Sequence, residues 1–292
     1  MRKDFILNFE NVKKNFGQIK ALDNISFNVN KNSIHGILGP NGSGKSTLMR
    51  ILSGLIKSWS GNIFLHGKKI EKKSNEYLKS FGFMIEEPSF YEYLSAEENL
   101  KIFCRLLNYN FNVVFESLKR VDLYDWRKTK VKNFSYGMKQ RLGIAQAILH
   151  DPDILILDEP NNGLDPKGIA DMNRLIEGLQ KEGKTICIST HILKDVERLC
   201  DSVTVLKKGK LILNSSIKDL MIKNKLINIS STKIPQLEDY LKNNIKSKII
   251  RSSNKSLTLK SNFNIQELTA KIPKDIPIIS IARDSGLTEL FI

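Results

Sequence analysis

Cysteine is scarce in this 292-residue chain. Cys104, Cys187 and Cys200 stand at unrelated spacings, which gives neither a metal-ligand pattern nor an even set for a disulfide framework. Reduced, buried thiols and a cytosolic compartment are the expectation. Trp59 and Trp126 are single aromatics with no cage around them, and His35, His66 and His150 are scattered, as structural or exposed histidines are. Long apolar runs are missing too: no stretch approaches the roughly 18 uncharged apolar residues of a membrane span. The opening Met1-Arg2-Lys3-Asp4-Phe5-Ile6-Leu7-Asn8 is basic, with no apolar segment or cleavage site behind it, so it does not read as a signal peptide. Internal repeats are absent. Acidic charge is in deficit, with 31 Asp and Glu against 46 Lys and Arg, a net charge of +15. That excess would attract nucleic acid or an anionic membrane face. The basic residues are nevertheless spread along the chain in no run longer than two or three, the pattern of solvated surfaces, and membrane proximity is the better of the two functional readings.

What is present describes a globular protein. Hydrophobic residues make up 41% and charged residues 26%, enough to bury a sizeable core, and the length suits two domains. The most informative stretch is Gly39-Pro40-Asn41-Gly42-Ser43-Gly44-Lys45-Ser46-Thr47. An apolar run, 33–38, precedes it, and Leu48, Ile51, Leu52 and Leu55 follow at helical spacing. Strand, glycine loop, helix is the context that the phosphate-binding pattern G-x-x-x-x-G-K-S/T requires. Its glycines let successive N–H groups converge on one anion, and the helix start adds unpaired donors. Lys45 supplies a charge for the terminal phosphates and Ser46 a hydroxyl for Mg²⁺. This is a nucleotide site.

Residues 5–13 and 19–29 carry the partial alternation of antiparallel strands, Ser60-Gly61 turns into a strand over 62–65, and 81–85 is another short strand. Ser95 followed by Glu98 is a capping box that opens a helix to about Leu107. A helical insert is expected over about 88–150. Ile154–Leu157 and Thr185–Ser189 are continuous apolar runs, as suits central parallel strands covered on both faces, and a hairpin follows over 203–213. After about residue 214 the order becomes β-α-β-β-α-β, a split ferredoxin-like pattern holding thirteen Lys and Arg against seven Asp and Glu. The expected division is a nucleotide-binding unit over 1–214 and an accessory α+β unit over 215–292.

Asp158 and Glu159 directly follow the first apolar run. One acid there can hold the Mg²⁺ hydration shell, and its neighbour can polarise an attacking water. Asn133-Phe134-Ser135-Tyr136-Gly137-Met138-Lys139-Gln140-Arg141-Leu142 resembles the signature of ATP-binding cassette (ABC) proteins. Asn161-Asn162-Gly163-Leu164-Asp165-Pro166 resembles their D-loop, Ser189-Thr190-His191 carries their switch histidine, and Phe16 lies where the family stacks an aromatic on adenine. The resemblance covers residues 5 to about 214. It implies an α/β P-loop NTPase of the ABC type: a RecA-like core, an antiparallel β subdomain and a helical subdomain.

The resemblance also implies roles. Lys45 and the loop 39–47 bind the phosphates of ATP. Ser46 and Asp158 hold Mg²⁺, Glu159 is the general base, and His191 contacts the γ-phosphate. Ser135 and Gly137 of one cassette, with Asp165 at the same surface, close over the ATP of a second cassette set head to tail. A separate transmembrane permease, bound at the cytoplasmic face of the membrane, is the further partner. Three positions depart from the broad family. Tyr136 stands where Gly is preferred, Asn162-Gly163 where Ser-Ala is common, and Glu86 where Gln usually contacts Mg²⁺ or the attacking water. The signature variant and Glu86 resemble the cassettes of bacitracin- and lantibiotic-type peptide export and immunity. Met138 and Met172 read as packing residues. The alternative is an ABC ATPase acting on nucleic acid or ribosomes. Paired cassettes in one chain, long coiled-coil insertions or zinc cysteines usually mark those proteins, and none is present, so no specific nucleic-acid partner is expected.

Overall fold

The computed structural model describes residues 5–245 and 247–290. The first four residues, on which the signal-peptide reading partly rests, lie outside the described residues. Two compact units make up the chain, Met1–Asn214 and Ser215–Ile292.

In the first unit, β1 (Phe5–Phe16) and β2 (Ile19–Asn30) form an antiparallel hairpin. They join β4 (Ser60–Leu65) and β5 (Lys68–Lys69) in a sheet of order β2-β1-β4-β5. Burial alternates along both long strands, as one-sided sheets require. The inward rings of Phe9 and Phe27 stack at 4.2 Å between centroids. Ser60 and Gly61, expected as a turn, already belong to β4. Gly61 has φ 90° and passes so close to β1 that a Cβ there would stand 2.3 Å from the Asn11 carbonyl oxygen, which keeps the strand running through an apparent turn signal.

The second sheet positions the site. It contains β3 (Ile34–Leu38), β6 (Phe81–Met84), β7 (Ile154–Asp158), β8 (Thr185–Thr190), β9 (Ser202–Lys207) and β10 (Lys210–Ser216), in the order β10-β9-β3-β8-β7-β6. From β9 to β6 every neighbouring pair is parallel. All of β3 and β8, and the first four residues of β7, are buried, which is why these segments read as unbroken apolar runs. The phosphate-loop helix α1 (Lys45–Leu52) buries Leu48, Met49, Ile51 and Leu52 in the core shared by the two sheets. In the helical insert lie α2 (Ala96–Leu107), α3 (Asn112–Arg120) and α4 (Tyr136–Ala147). The capping box at α2 is present in both directions: Glu98 N donates to Ser95 Oγ, and Ser95 N donates to the Glu98 carboxylate. The insert's helices begin at Ala96, so 88–95 is a loop leading into them. Two further helices, α5 (Pro166–Lys181) and α6 (Leu193–Leu199), follow β7 and β8.

The second unit opens with α7 (Ile217–Asn224), a helix absent from the sequence reading although Ser216 caps it by accepting from Asp219 N. Then come β11 (Leu226–Ser231), α8 (Ile234–Tyr240) with a π-type turn over Leu241–Ile245, β12 (Lys248–Ser252), β13 (Ser256–Lys260), α9 (Ile265–Lys271) and β14 (Ile278–Asp284). Sheet order is β12-β13-β11-β14, each pair antiparallel, the split β-α-β-β-α-β arrangement. Ile227, Ile229, Leu257 and Leu259 face Leu237, Leu241 and Leu268 in a core of their own.

Candidate nucleotide site

Parallel register fixes which residues meet. Leu38, the last residue of β3, pairs with Thr190 at the end of β8, and Asp158 at the end of β7 pairs with Ser189. The loop after β3, the acids ending β7 and the histidine after β8 therefore emerge along one sheet edge. That is where ligands bind in open α/β sheets.

A cleft of about 660 Å³ opens there, lined by Phe16, Asn41–Thr47, Asp158 and Glu159. Ile19, Lys20, Ala21 and Lys208 complete its walls. These four carry no motif. Lys208 arrives from the β9–β10 turn because Gly209 N donates to Ser43 O and Gly209 O accepts from Asp23 N. Gly44, with φ 110°, caps α1, and a Cβ there would stand 2.7 Å from the Ala21 carbonyl oxygen. Such packing leaves room only for glycine. Lys45 is buried, and its ammonium donates to Gly39 O at 2.7 Å and to Pro40 O at 3.4 Å. Burial lowers the Lys45 pKa, against the raising pull of the Glu159 and Asp158 carboxylates. The buried Ser43 hydroxyl has no partner of its own in the loop. Phe16 stands half exposed at the cleft with the Lys14 ammonium 4.6 Å from its ring centre.

Asp158 accepts a hydrogen bond from Ser189 Oγ. Glu159 takes φ 48°, a left-handed conformation uncommon outside glycine. Its N–H donates to the Ser189 backbone oxygen at 3.1 Å and lies 3.2 Å from Ser189 Oγ, which holds that backbone in place. The Glu159 carboxylate then meets His191 Nδ1, 3.0 Å from both of its oxygens. Backbone strain concentrated at a would-be reactive carboxylate is a pattern of functional sites.

A second cleft, of about 480 Å³, gathers Ser135, Tyr136, Gly137, Gly163, Leu164 and Asp165. Ser135 caps α4, its Oγ accepting from Met138 N at 3.2 Å, and Asp165 caps α5 by accepting from Gly168 N at 2.7 Å. Met138 is half-buried in this cleft's wall rather than packed in the core, whereas Met172 is buried. The candidate residues thus fall into two groups on one chain.

Glu86 belongs to neither group. It has φ 66°, does not line the phosphate cleft, and forms an ion pair with Arg50 of α1. No spacing in the sequence connects Glu86 with Arg50; only the fold does. His35 is fully buried between Ser202 Oγ at 2.7 Å and Thr204 Oγ1 at 2.9 Å, a structural histidine. All three cysteines are buried and free, and burial pushes the Cys187 thiol up to about 12. Among the described residues, no group of three or more His, Cys, Asp or Glu is placed to hold a metal, and no helix is long and apolar enough to cross a membrane.

A parallel sheet feeding a glycine loop, with a pair of acids ending the next strand but one, defines a phosphate-loop nucleotide-binding ATPase. Comparison with known proteins narrows the class. A family described as ABC transporter matches residues 22–162. The lantibiotic transport ATP-binding protein SrtF of Streptococcus pyogenes is 43% identical over 208 residues, covering 71% of this chain and 90% of that protein. The bacitracin transport ATP-binding protein BcrA of Bacillus licheniformis is 46% identical over 209 residues, 71% of this chain and 68% of its own length. Among solved structures, the dimeric bacterial ABC transporter cassette MJ0796 superposes with a TM-score of 0.64 at 27% identity, over 72% of this chain and 98% of that one. The chain belongs to the ATP-binding subunits of ABC transporters.

Proposed function

We propose that this chain hydrolyses ATP to drive a separate membrane permease that exports a bacitracin- or lantibiotic-like peptide. The observation that carries the hydrolytic part is Glu159, a strained carboxylate in the phosphate cleft, oriented by His191. In this reading the N–H groups of 39–47 and the Lys45 ammonium hold the phosphates, and Phe16 stacks on the base. Glu159 takes a proton from the attacking water, and His191 orients Glu159 and meets the charge developing on the γ-phosphate. Mg²⁺ fits a donor set of hard oxygens, the Ser46 hydroxyl at the helix start and Asp158, whereas Glu86, paired with Arg50 away from the cleft, is not placed with them. When bound, it would neutralise charge on the β- and γ-phosphates.

The separation of Ser135, Gly137 and Asp165 into a second cleft supports head-to-tail pairing, in which that surface closes over the partner's ATP. A helix N-terminus capped by Ser135 is itself an anion-binding surface. The names of SrtF and BcrA support peptide export, and a cytoplasmic position at the inner membrane face follows from that reading. Residues 215–292 are proposed as an accessory unit, so truncation after residue 214 is expected to leave nucleotide binding intact; a folded truncation that no longer binds ATP would refute the division. The export reading is tested by affinity purification from membranes, together with peptide resistance of cells with and without the gene. Co-purification with a polytopic membrane protein and loss of resistance support it. Salt-sensitive binding to RNA or DNA, without such a partner, would favour the nucleic-acid ATPase instead.

A further inference from the structure

Two of the positions that depart from the broad family meet in space. Gly163, with φ 75°, lies beneath the ring of Tyr136: a Cβ at 163 would stand 3.0 Å from Tyr136 Cε1 and 3.4 Å from Cζ. The shorter distance is tighter than an ordinary contact. An alanine at 163, the commoner family residue, therefore requires the Tyr136 ring to give way by a few tenths of an ångström, on top of the strain of a side chain at φ 75°. The phenol is tied as well. Its hydroxyl accepts from Gln140 Nε2 at 2.9 Å, one turn along α4, and donates to Glu87 Oε1 at 3.0 Å. Gln140 is buried, and its Oε1 has no partner. Burial and the Glu87 carboxylate raise the Tyr136 pKa, against the lowering effect of the Gln140 hydrogen bond. Glu86, the preceding residue, is held by Arg50 of the phosphate-loop helix. Successive carboxylates therefore reach α1 on one side and the start of α4 on the other.

We propose that Tyr136 is a positioning residue of the closing surface: its ring fills the space Gly163 leaves free, and its hydroxyl ties the Ser135–Gly137 turn to Glu87. The 161–165 loop, the signature turn and the segment after β6 then hold a single arrangement. Leu164 also lies close to this turn, since a Cβ built at Gly137 would stand 3.4 Å from Leu164 Cδ2. Through Glu86 and Arg50 the junction is continuous with the chain's own phosphate loop. The surface offered to a partner's nucleotide is thereby built onto the element that binds this chain's own. The inference rests on the head-to-tail closure proposed above.

A reciprocal exchange tests it in the full-length chain. Three quantities are measured for each variant: affinity for a fluorescent ATP analogue, kcat for hydrolysis, and ATP-dependent self-association in a Glu159→Gln background. Gly163→Ala is expected to lower kcat and association by about 10-fold. Adding Tyr136→Gly, which restores the commoner pairing, is expected to recover at least about threefold of that loss. The backbone strain of alanine at φ 75° is common to the single and double variants and cancels in the comparison. Tyr136→Phe keeps the ring and loses the tether, so kcat is expected to fall about threefold, with nucleotide affinity unchanged. Glu87→Gln, which keeps an acceptor, is expected to behave as wild type. If the double variant is no better than Gly163→Ala, or if Tyr136→Phe matches wild type in kcat, the assignment is overturned. Glu159→Gln protein that associates with ATP while the exchange shows no coupling would sink the Tyr136 assignment alone. Glu159→Gln protein that binds ATP and does not associate would sink the closure reading and this inference with it.

Discussion

The two units of the chain are both α/β, yet only one brings chemistry together. In the first, five neighbouring strands run parallel, so every carboxyl end lies on one edge. Three segments far apart in sequence deliver Lys45, Glu159 and His191 to that edge. In the second unit each neighbouring pair is antiparallel. The carboxyl ends of β11 and β12 therefore lie on one edge and those of β13 and β14 on the other, so the strand ends are divided between two edges. Its polar groups are instead tied in pairs: Asn228 Nδ2 donates to Thr258 Oγ1, Ser231 Oγ donates to Pro277 O, and Arg251 pairs with Asp284. Strand direction, rather than composition, separates a site from a scaffold here.

The sharpest break in that contrast is expected from Glu159→Gln. The amide keeps the shape of the carboxylate and loses the charge that polarises water, so hydrolysis should fall at least about 100-fold while ATP still binds. Gel filtration with Mg-ATP should then show a trapped dimer, beside a phosphate-release assay at background. Turnover at the wild-type rate would remove Glu159 as the base. In the second unit, Glu238→Gln, which removes the charge paired with Lys242, is expected to leave hydrolysis where it was.

Core truncations probe whether each unit stands on its own interior. Ile156→Ala and Leu257→Ala both remove fully buried side chains, from the core of the first and the second unit respectively. Each is expected to cost about 2–5 kcal/mol. Calorimetry should show each lowering a different transition, and only Ile156→Ala should weaken nucleotide binding. A single transition shifted equally by both would show that the units melt as one.

Acid should distinguish the units next. Burial pushes the His35 pKa down from 6.5 to about 4. As the pH falls, the unfolded chain takes up that proton first. The stability contributed by neutral His35 is therefore complete above about pH 6.5 and is lost as the pH drops toward 4. The loss is on the order of 3 kcal/mol by linkage. All four histidines lie before residue 192, so the second unit has no such term. Melting temperatures between pH 7 and 4.5 should fall for the first transition, and His35→Asn should flatten that slope.

The smallest effect is expected at Glu86. Its pairing with Arg50 is solvent-exposed on both sides, so Glu86→Gln should change hydrolysis by less than about threefold. Glu86→Ala should lose much more transport than ATP binding, because it leaves Arg50 and the segment before α2 unconnected. An alanine variant that matches wild type in nucleotide affinity, hydrolysis and peptide resistance would remove Glu86 from the mechanism.

Local pattern made much of the fold legible. Ile154–Leu157 and Thr185–Ser189 could be read as central strands because a strand covered on both faces has no polar side to alternate with. The capping box at Ser95 and the strand-loop-helix order around Lys45 are likewise local, each set by hydrogen bonding within a few residues. Ser60-Gly61, a local turn signal, continues a strand because β1 lies against it. The helix α7 differs, since its cap signal at Ser216 and Asp219 is local and lies in the sequence itself.

The sequence by itself determined which segments form strands and helices and that a phosphate loop opens α1, since propensity, capping and apolar periodicity act over a turn or a strand. Only the tertiary structure decided the company those residues keep. Parallel register set Asp158 beside Ser189, the β9–β10 turn brought Lys208 to the loop through Gly209, Arg50 claimed Glu86, and Gly163 made room for Tyr136. These contacts join residues from 27 to more than 160 positions apart. Which side chains meet across such separations depends on sheet order and strand direction, and no local rule of spacing encodes either.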